Sequence, residues 1–224
     1  MALSAIEVRV LGSLVEKERT TPEGYPLSSQ GLMTACNQKT SREPVTSYHL
    51  QEVLAALQRL RDRGLAATVH AAGERVPKHR HRLVEALDVR GAEVALLAVL
   101  MLRGPQTPGE LRSRTDRYLQ FKDIDEVEAV LERLASRSVP LVKNLGRSPG
   151  QSQDRWMHTL GQDDEKLLPR VRAVRVEAPA GPAGEGRPGD AAMKGPDLRL
   201  LERLESLERR VALLEALVDP KSGA

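Results

Sequence analysis

One stretch of this chain occurs twice. Ile6-Glu7-Val8 through Thr21-Pro22 matches Ala92-Glu93-Val94 through Thr107-Pro108 at a constant offset of 86, with Leu11 on Leu97 and Leu14 on Leu100. Further on, the block from Val53 to Leu60 matches the block from Val127 to Leu134 at an offset of 74. A unit of roughly 70 to 85 residues is too long for a solenoid repeat and suits a small folded domain, so the chain is restricted to two like-built halves. The change of offset leaves the first copy with 12 extra residues between its matching blocks, and a functional difference between the copies is expected there.

Within the first copy, Leu3, Ile6, Val10, Leu11, Leu14 and Val15 recur at spacings of three and four. That pattern predicts a helix with one buried stripe, N-capped by Ser4 with Glu7 as its capping-box partner. Two prolines and a glycine between Thr20 and Pro26 end it. Ser28 to Cys36 then reads as a short second helix, and Leu50, Val53, Leu54, Leu57 and Leu60 mark a third that stops at Gly64. Leu65 to His70 and Arg75 to Leu83 predict two strands around the turn Ala72-Gly-Glu74. The second copy repeats the order: Glu93 to Leu102, Pro108 to Arg117, Ile124 to Leu134, then strands Pro140 to Leu145 and Arg155 to Leu160 around Arg147-Ser-Pro-Gly150. Three helices closed by a hairpin is the winged-helix order, in which the third helix can enter a DNA major groove while the hairpin reaches the flanking backbone.

The expected fold class is therefore α+β, mainly α with small β-hairpins: winged-helix domains over 1–88 and 89–160, each with a modest core. A Pro/Gly/Ala-rich linker follows over 161–196, and a coiled-coil helix over 197–218. Leu200, Leu204, Leu207, Val211, Leu214 and Val218 are spaced 4, 3, 4, 3 and 4 apart, a coiled-coil seam with Arg203 and Arg210 at g facing Glu208 and Glu215 at e. A homodimer through this coil is predicted. The competing reading is an amphipathic helix docked on its own domain, because three heptads make a marginal coil alone.

Composition excludes several classes. No segment approaches 18 uninterrupted apolar residues, no basic-then-apolar leader opens the chain, and Cys36 is the single cysteine, so a cytoplasmic protein without membrane partners or disulfides is expected. Lys plus Arg exceeds Asp plus Glu by only 34 to 31, so any contact with nucleic acid must come from local clustering. The five aromatic residues are too scattered to stack single-stranded bases. Walker, dinucleotide, zinc-protease and nucleophile-elbow motifs are absent from the sequence, Cys36 reads as a buried inert thiol, and no enzyme or cofactor is predicted. His79 and His81 alternate on a strand without a third ligand, so no metal is predicted.

Two long motifs, Thr34-Ala-Cys-Asn-Gln-Lys-Thr-Ser-Arg-Glu-Pro-Val45 and Leu102-Arg-Gly-Pro-Gln-Thr-Pro-Gly-Glu-Leu-Arg-Ser-Arg114, stand one in each copy. With them, residues 3 to 160 resemble the YceH family of bacterial cytoplasmic proteins. The resemblance implies tandem winged-helix domains and no particular activity, and it does not extend to the linker or coil.

Charge separates the copies. Arg75, Lys78, Arg80 and Arg82 place four cations in eight residues, three of them on one strand face, where they could line a phosphate backbone. A basic edge strand that blocks edge-to-edge pairing would look the same. Lys39 and Arg42 precede the third helix, and Ser47, Tyr48 and Gln51 fall on its first turns, so these nine residues are the candidate duplex-DNA contacts. The third helix of copy two instead begins Asp123-Ile-Asp-Glu-Val-Glu128, which suits a helix dipole and repels phosphate. Arg112, Arg114 and Arg117 form a separate strip expected either to clamp a phosphate or an acidic partner or to pair with Glu110, Asp116 or Asp123. The leading expectation is a DNA-associated regulator. The alternative is an adaptor whose winged helices dock other proteins without touching nucleic acid.

Overall fold

Ser4 opens the first helix, its backbone N–H donating to Glu7 Oε2 at 2.7 Å, and α1 runs Ala5–Thr20. In this computed structural model, which describes residues 2–70, 76–147 and 153–161, α1 is buried on all sides from Glu7 to Glu16. The single stripe expected from its spacing is too narrow an account. α1 packs against α2 (Ser29–Cys36) and α3 (Leu50–Asp62), and also against α5 (Ala92–Arg103), its own counterpart in the second copy. α5 is likewise buried from Val94 to Leu102, as an apolar run without a polar face requires. Both copies lie in one unit, Met1–Val174, and their buried side chains form one continuous cluster instead of two separate cores. Gly12 lies at the crossing, where an added Cβ would meet Met101 Cβ at 3.0 Å and Leu102 at 3.1 Å.

The first copy holds a three-stranded antiparallel sheet of order β1-β3-β2: β1 Leu27–Ser28, β2 Ala66–Val69 and β3 Lys78–His81. Leu27 pairs with His79, and Ala66 to Val69 pair with His81 to Lys78. Ser28 both ends β1 and N-caps α2, its Oγ accepting from Gly31 N at 3.2 Å. After β3 a short helix, α4 (Leu83–Leu87), turns the chain into the second copy, where the expected strand had run on to Leu83. There α6 (Pro108–Thr115) and α7 (Ile124–Ala135) precede β4 (Val142–Asn144) and β5 (Trp156–His158), with an isolated bridge from Gln106 to Trp156 in the place of β1. Thr107 N-caps α6 as Ser28 caps α2, accepting from Glu110 N at 3.2 Å.

That matching of caps corrects the repeat alignment. Thr21-Pro22 begins a 3₁₀ turn, Pro22–Gly24, whereas Thr107-Pro108 begins a helix, so the structural partner of Thr107 is Ser28. The additional residues of copy one are therefore split between the turn before β1 and the loop from Asn37 to His49 that joins α2 to α3. The turn Ala72–Glu74, Arg75, most of the second hairpin's tip, the 161–196 linker beyond Gly161 and the seam from Leu200 to Val218 lie outside the described residues. Among the described residues no helix is long and apolar enough to cross a membrane.

Candidate functional site

β3 alternates as its sequence requires: His79 and His81 are buried, and Lys78 and Arg80 point to the other face of the sheet. Each histidine is held in place by hydrogen bonds. His79 Nε2 meets Ser29 Oγ at 3.0 Å and its Nδ1 meets Thr68 Oγ1 at 3.3 Å, while burial holds its pKa below the ordinary value. His81 Nδ1 accepts from Leu83 N at 3.2 Å and Nε2 meets Glu18 Oε2 at 2.9 Å. Among the described residues no group of three histidine, cysteine or acidic side chains is placed to hold a metal. β3 lies between β1 and β2, but β1 covers it only at Lys78 and His79, so Lys78 does not sit on a sheet edge whereas Arg80 is paired on the β2 side alone. Arg80 makes a half-exposed pair with Glu85 at 3.3 Å, and Arg82, just past the strand, is exposed.

Lys39, Ser47 and Gln51 are exposed, as a contact surface needs. Tyr48 is half-buried, and the Asn37 side chain grips its backbone, Nδ2 donating to Tyr48 O at 2.8 Å and Oδ1 accepting from Tyr48 N at 2.9 Å. Arg42 does not belong with them. Its guanidinium is fully buried, paired with both carboxylate oxygens of Glu16, and donates to Ala35 O at 2.8 and 3.0 Å, Gln38 Oε1 at 2.9 Å and Ser41 O at 2.9 Å. A polar loop before a helix gave the same sequence signal, but here the arginine staples that loop to α1.

The corresponding face of copy two has the opposite sign. Asp123 caps α7, its Oδ1 accepting from Glu126 N at 2.9 Å, and Asp125, Glu128 and Glu132 are exposed. A cleft of about 390 Å³ between α6, α7 and the hairpin is lined by Glu128, Glu132 and an Asp154–Arg147 ion pair at 3.1 Å, with Ile124, Ala129 and Trp156 supplying apolar wall. Arg112, Arg114 and Arg117 do not form one strip. Arg112 braces the loop after α6 through Phe121 O at 3.4 Å and Lys122 O at 2.9 Å, and Arg114 pairs with Glu110 at 3.4 Å. Arg117 turns to the other copy, reaching Ser41 Oγ at 3.1 Å and Glu16 at 3.6 Å.

Around Ser41 the two long motifs meet. Glu43 N donates to Leu102 O at 2.9 Å, and Arg103 Nη2 reaches Ser41 Oγ at 2.9 Å. A second buried arginine, Arg9 of α1, holds the loop from beneath, donating to Cys36 O at 3.1 Å, Pro44 O at 2.7 Å and Thr46 Oγ1 at 3.3 Å. Sequence reading missed this convergence, because nothing in a one-dimensional pattern brings residues 41 and 103 together.

The family described as "Protein of unknown function, DUF480" matches residues 3–151. Proteins titled "UPF0502 protein YceH" from Salmonella newport (strain SL254) and Salmonella heidelberg (strain SL476) are each 45% identical over 210 residues, covering 92% of this chain and 95% of theirs. The chain belongs to the YceH family. An alignment of that length also carries the likeness past residue 160, further than the motifs alone reached. In this YceH-family chain both long motifs contribute to one junction, and the first also supplies the exposed Lys39. A further signal stands in each copy as His-x-Leu: His158 Nδ1 accepts from Leu160 N at 3.3 Å just as His81 accepts from Leu83.

Proposed function

We propose that this protein is a non-enzymatic, DNA-associated regulator built from two tandem winged-helix domains, the first of which contacts duplex DNA. Support comes from the order of three helices and a hairpin in each copy, with a short strand or bridge before the second helix pairing onto the returning strand. The observation that carries the reading is the sorting of side chains on β3, where both histidines are committed inward and the cations of the same strand face away. Lys78, Arg80 and Arg82 then meet phosphates, and Gln51 on the first turn of the third helix faces base edges, with Ser47 beside it in the loop that leads into the helix. The Arg80–Glu85 pair is no obstacle, since an exposed pair contributes only about 0 to 1 kcal/mol and exchanges readily for a phosphate. The heptad seam from Leu200 to Val218 would dimerise the protein and raise attachment through effective concentration.

Fluorescence anisotropy on mixed-sequence duplex DNA tests this. Binding should weaken steeply with salt, and replacing Lys78, Arg80 and Arg82 together with Ala should reduce the slope of log K against log salt by about 3. Absence of binding at low salt refutes the reading. One observation favours a second reading, an adaptor that docks other proteins: the cleft of about 390 Å³ in copy two, where Glu128, Glu132 and an apolar wall suit a basic peptide while Arg147 is taken up by Asp154.

A further inference from the structure

Arg103 from the end of α5 and Arg117 just beyond α6 donate to one and the same oxygen, the hydroxyl of Ser41, at 2.9 and 3.1 Å. A serine hydroxyl is a modest acceptor for one guanidinium and a poor one for two, because it carries no charge to offset theirs. The surroundings do not supply that charge. Arg42, Arg103 and Arg117 gather around the carboxylate of Glu16, which is already bound to Arg42 through both oxygens and takes Tyr118 Oη at 3.3 Å, so two positive charges are left in excess. Burial first, and then the nearby charges of Arg114 and Arg117, hold the Arg103 guanidinium below the usual arginine value. Ser41 itself sits at φ +58°, a left-handed conformation that a non-glycine residue adopts at a cost, and it turns the hydroxyl toward both arginines. The loop that carries it is fixed from below by Arg9 and Arg42, so the arrangement is preorganised and not a chance surface meeting.

We propose that this junction is a binding site for a small phosphoryl dianion, which Arg103 and Arg117 grip in place of the Ser41 hydroxyl. The charge matches, two guanidinium forks against two negative charges, and forked N–H donors fit the edges of a tetrahedral oxyanion. Ser41 belongs to the first copy and both arginines to the second. An occupant therefore bridges the halves, and the site is a place for an effector distinct from the proposed DNA face.

Isothermal titration calorimetry of the full chain with inorganic phosphate and with pyrophosphate, at constant ionic strength, tests the proposal. Saturable binding of one anion per chain is expected with at least one of the two, weakened tenfold or more by Arg103→Gln and by Arg117→Gln. Ser41→Ala should bind as well as the parent or better, because the hydroxyl only holds the place of the ligand. Arg117 is 59% exposed and leaves the Arg42–Glu16 pair intact when replaced, so Arg117→Gln is expected to fold, with the urea midpoint as control. Loss of binding in Ser41→Ala equal to that in the arginine variants would overturn the proposal, as would no saturable heat with either anion. A second arm separates a free anion from a nucleic-acid phosphate. The Arg103→Gln and Arg117→Gln variants should keep the salt slope of DNA binding, and a reduced slope without inorganic-anion binding would mean that the arginines serve the duplex backbone instead.

Discussion

Arg42→Met should cost the fold stability and leave DNA binding alone. The side chain of Arg42 is 0% exposed and that of Glu16 2%, so removing the guanidinium strands a buried carboxylate and deprives Ala35 O of its partner. Breaking a buried pair from one side costs about 3 to 5 kcal/mol. Arg117 at 3.6 Å and Tyr118 at 3.3 Å still face Glu16, which places the expected loss toward the lower end, about 3 kcal/mol. For a unit of this size that corresponds to a fall in Tm of roughly 10 °C. Urea unfolding followed by circular dichroism would read the loss as a lower midpoint at unchanged m. Arg42→Lys should lose most of the same energy, since a point charge cannot replace a fork that satisfies Glu16 and Ala35 together. The double variant Arg42→Met/Glu16→Met should recover much of it by removing both charges. If Arg42→Met instead unfolds within about 1 kcal/mol of the parent while its DNA salt slope falls by about 1, Arg42 is a phosphate contact and the stapling argument fails.

Two further perturbations address packing and protonation. Gly12→Val should destabilise by about 1 to 3 kcal/mol, because its branched side chain meets Met101 and Leu102 across the crossing of α1 and α5, and a neutral or stabilising result in urea would show that the helices can part. Burial pushes the His158 imidazole down to about 4, so the folded protein keeps it neutral where the unfolded chain, titrating near 6.5, takes up a proton. Stability should therefore be flat above that unfolded pKa and fall as pH drops from it toward 4, by about 2 kcal/mol between pH 7 and pH 5; His79, shifted in the same direction, adds to the loss, and equal urea midpoints at the two pH values would refute this.

What the sequence revealed was what repeats or alternates. Leu11, Leu14, Leu57 and Leu60 are core residues as their spacing required, and the Lys-His-Arg-His alternation of residues 78 to 81 divided inward and outward as drawn. Pairings between distant segments were hidden. β1 is two residues long and has no pattern of its own, so the central position of β3 was invisible. The burial of Arg42 depends on a carboxylate 26 residues earlier, one helix away, and an arginine in a polar loop looks the same whether it meets Glu16 or a phosphate. The duplication itself suggested two separate cores. The uninterrupted apolar run from Val94 to Leu102, too hydrophobic for a helix with a solvent face, was the sign that the copies bury their first helices against each other.

The two loops that join second to third helix show which part of the fold carries more than architecture demands. In copy two the link after α6 is held by Phe121, buried in the core, by Tyr118 packed against that core and donating to Glu16, and by the exposed Arg112 on two backbone carbonyls, with no buried guanidinium in the loop itself. In copy one the same task takes two buried guanidiniums, Arg9 and Arg42, each of which costs several kcal/mol to desolvate before its hydrogen bonds offset that cost. Helix placement alone does not call for this expense, since the other copy manages without it. What the additional fixation achieves is the exact setting of the segment from Ser41 to Glu43 against Leu102 and Arg103. A rigid loop pressed onto the other half makes sense if what lies there must be held in register, and what lies there is a pair of arginines sharing one hydroxyl.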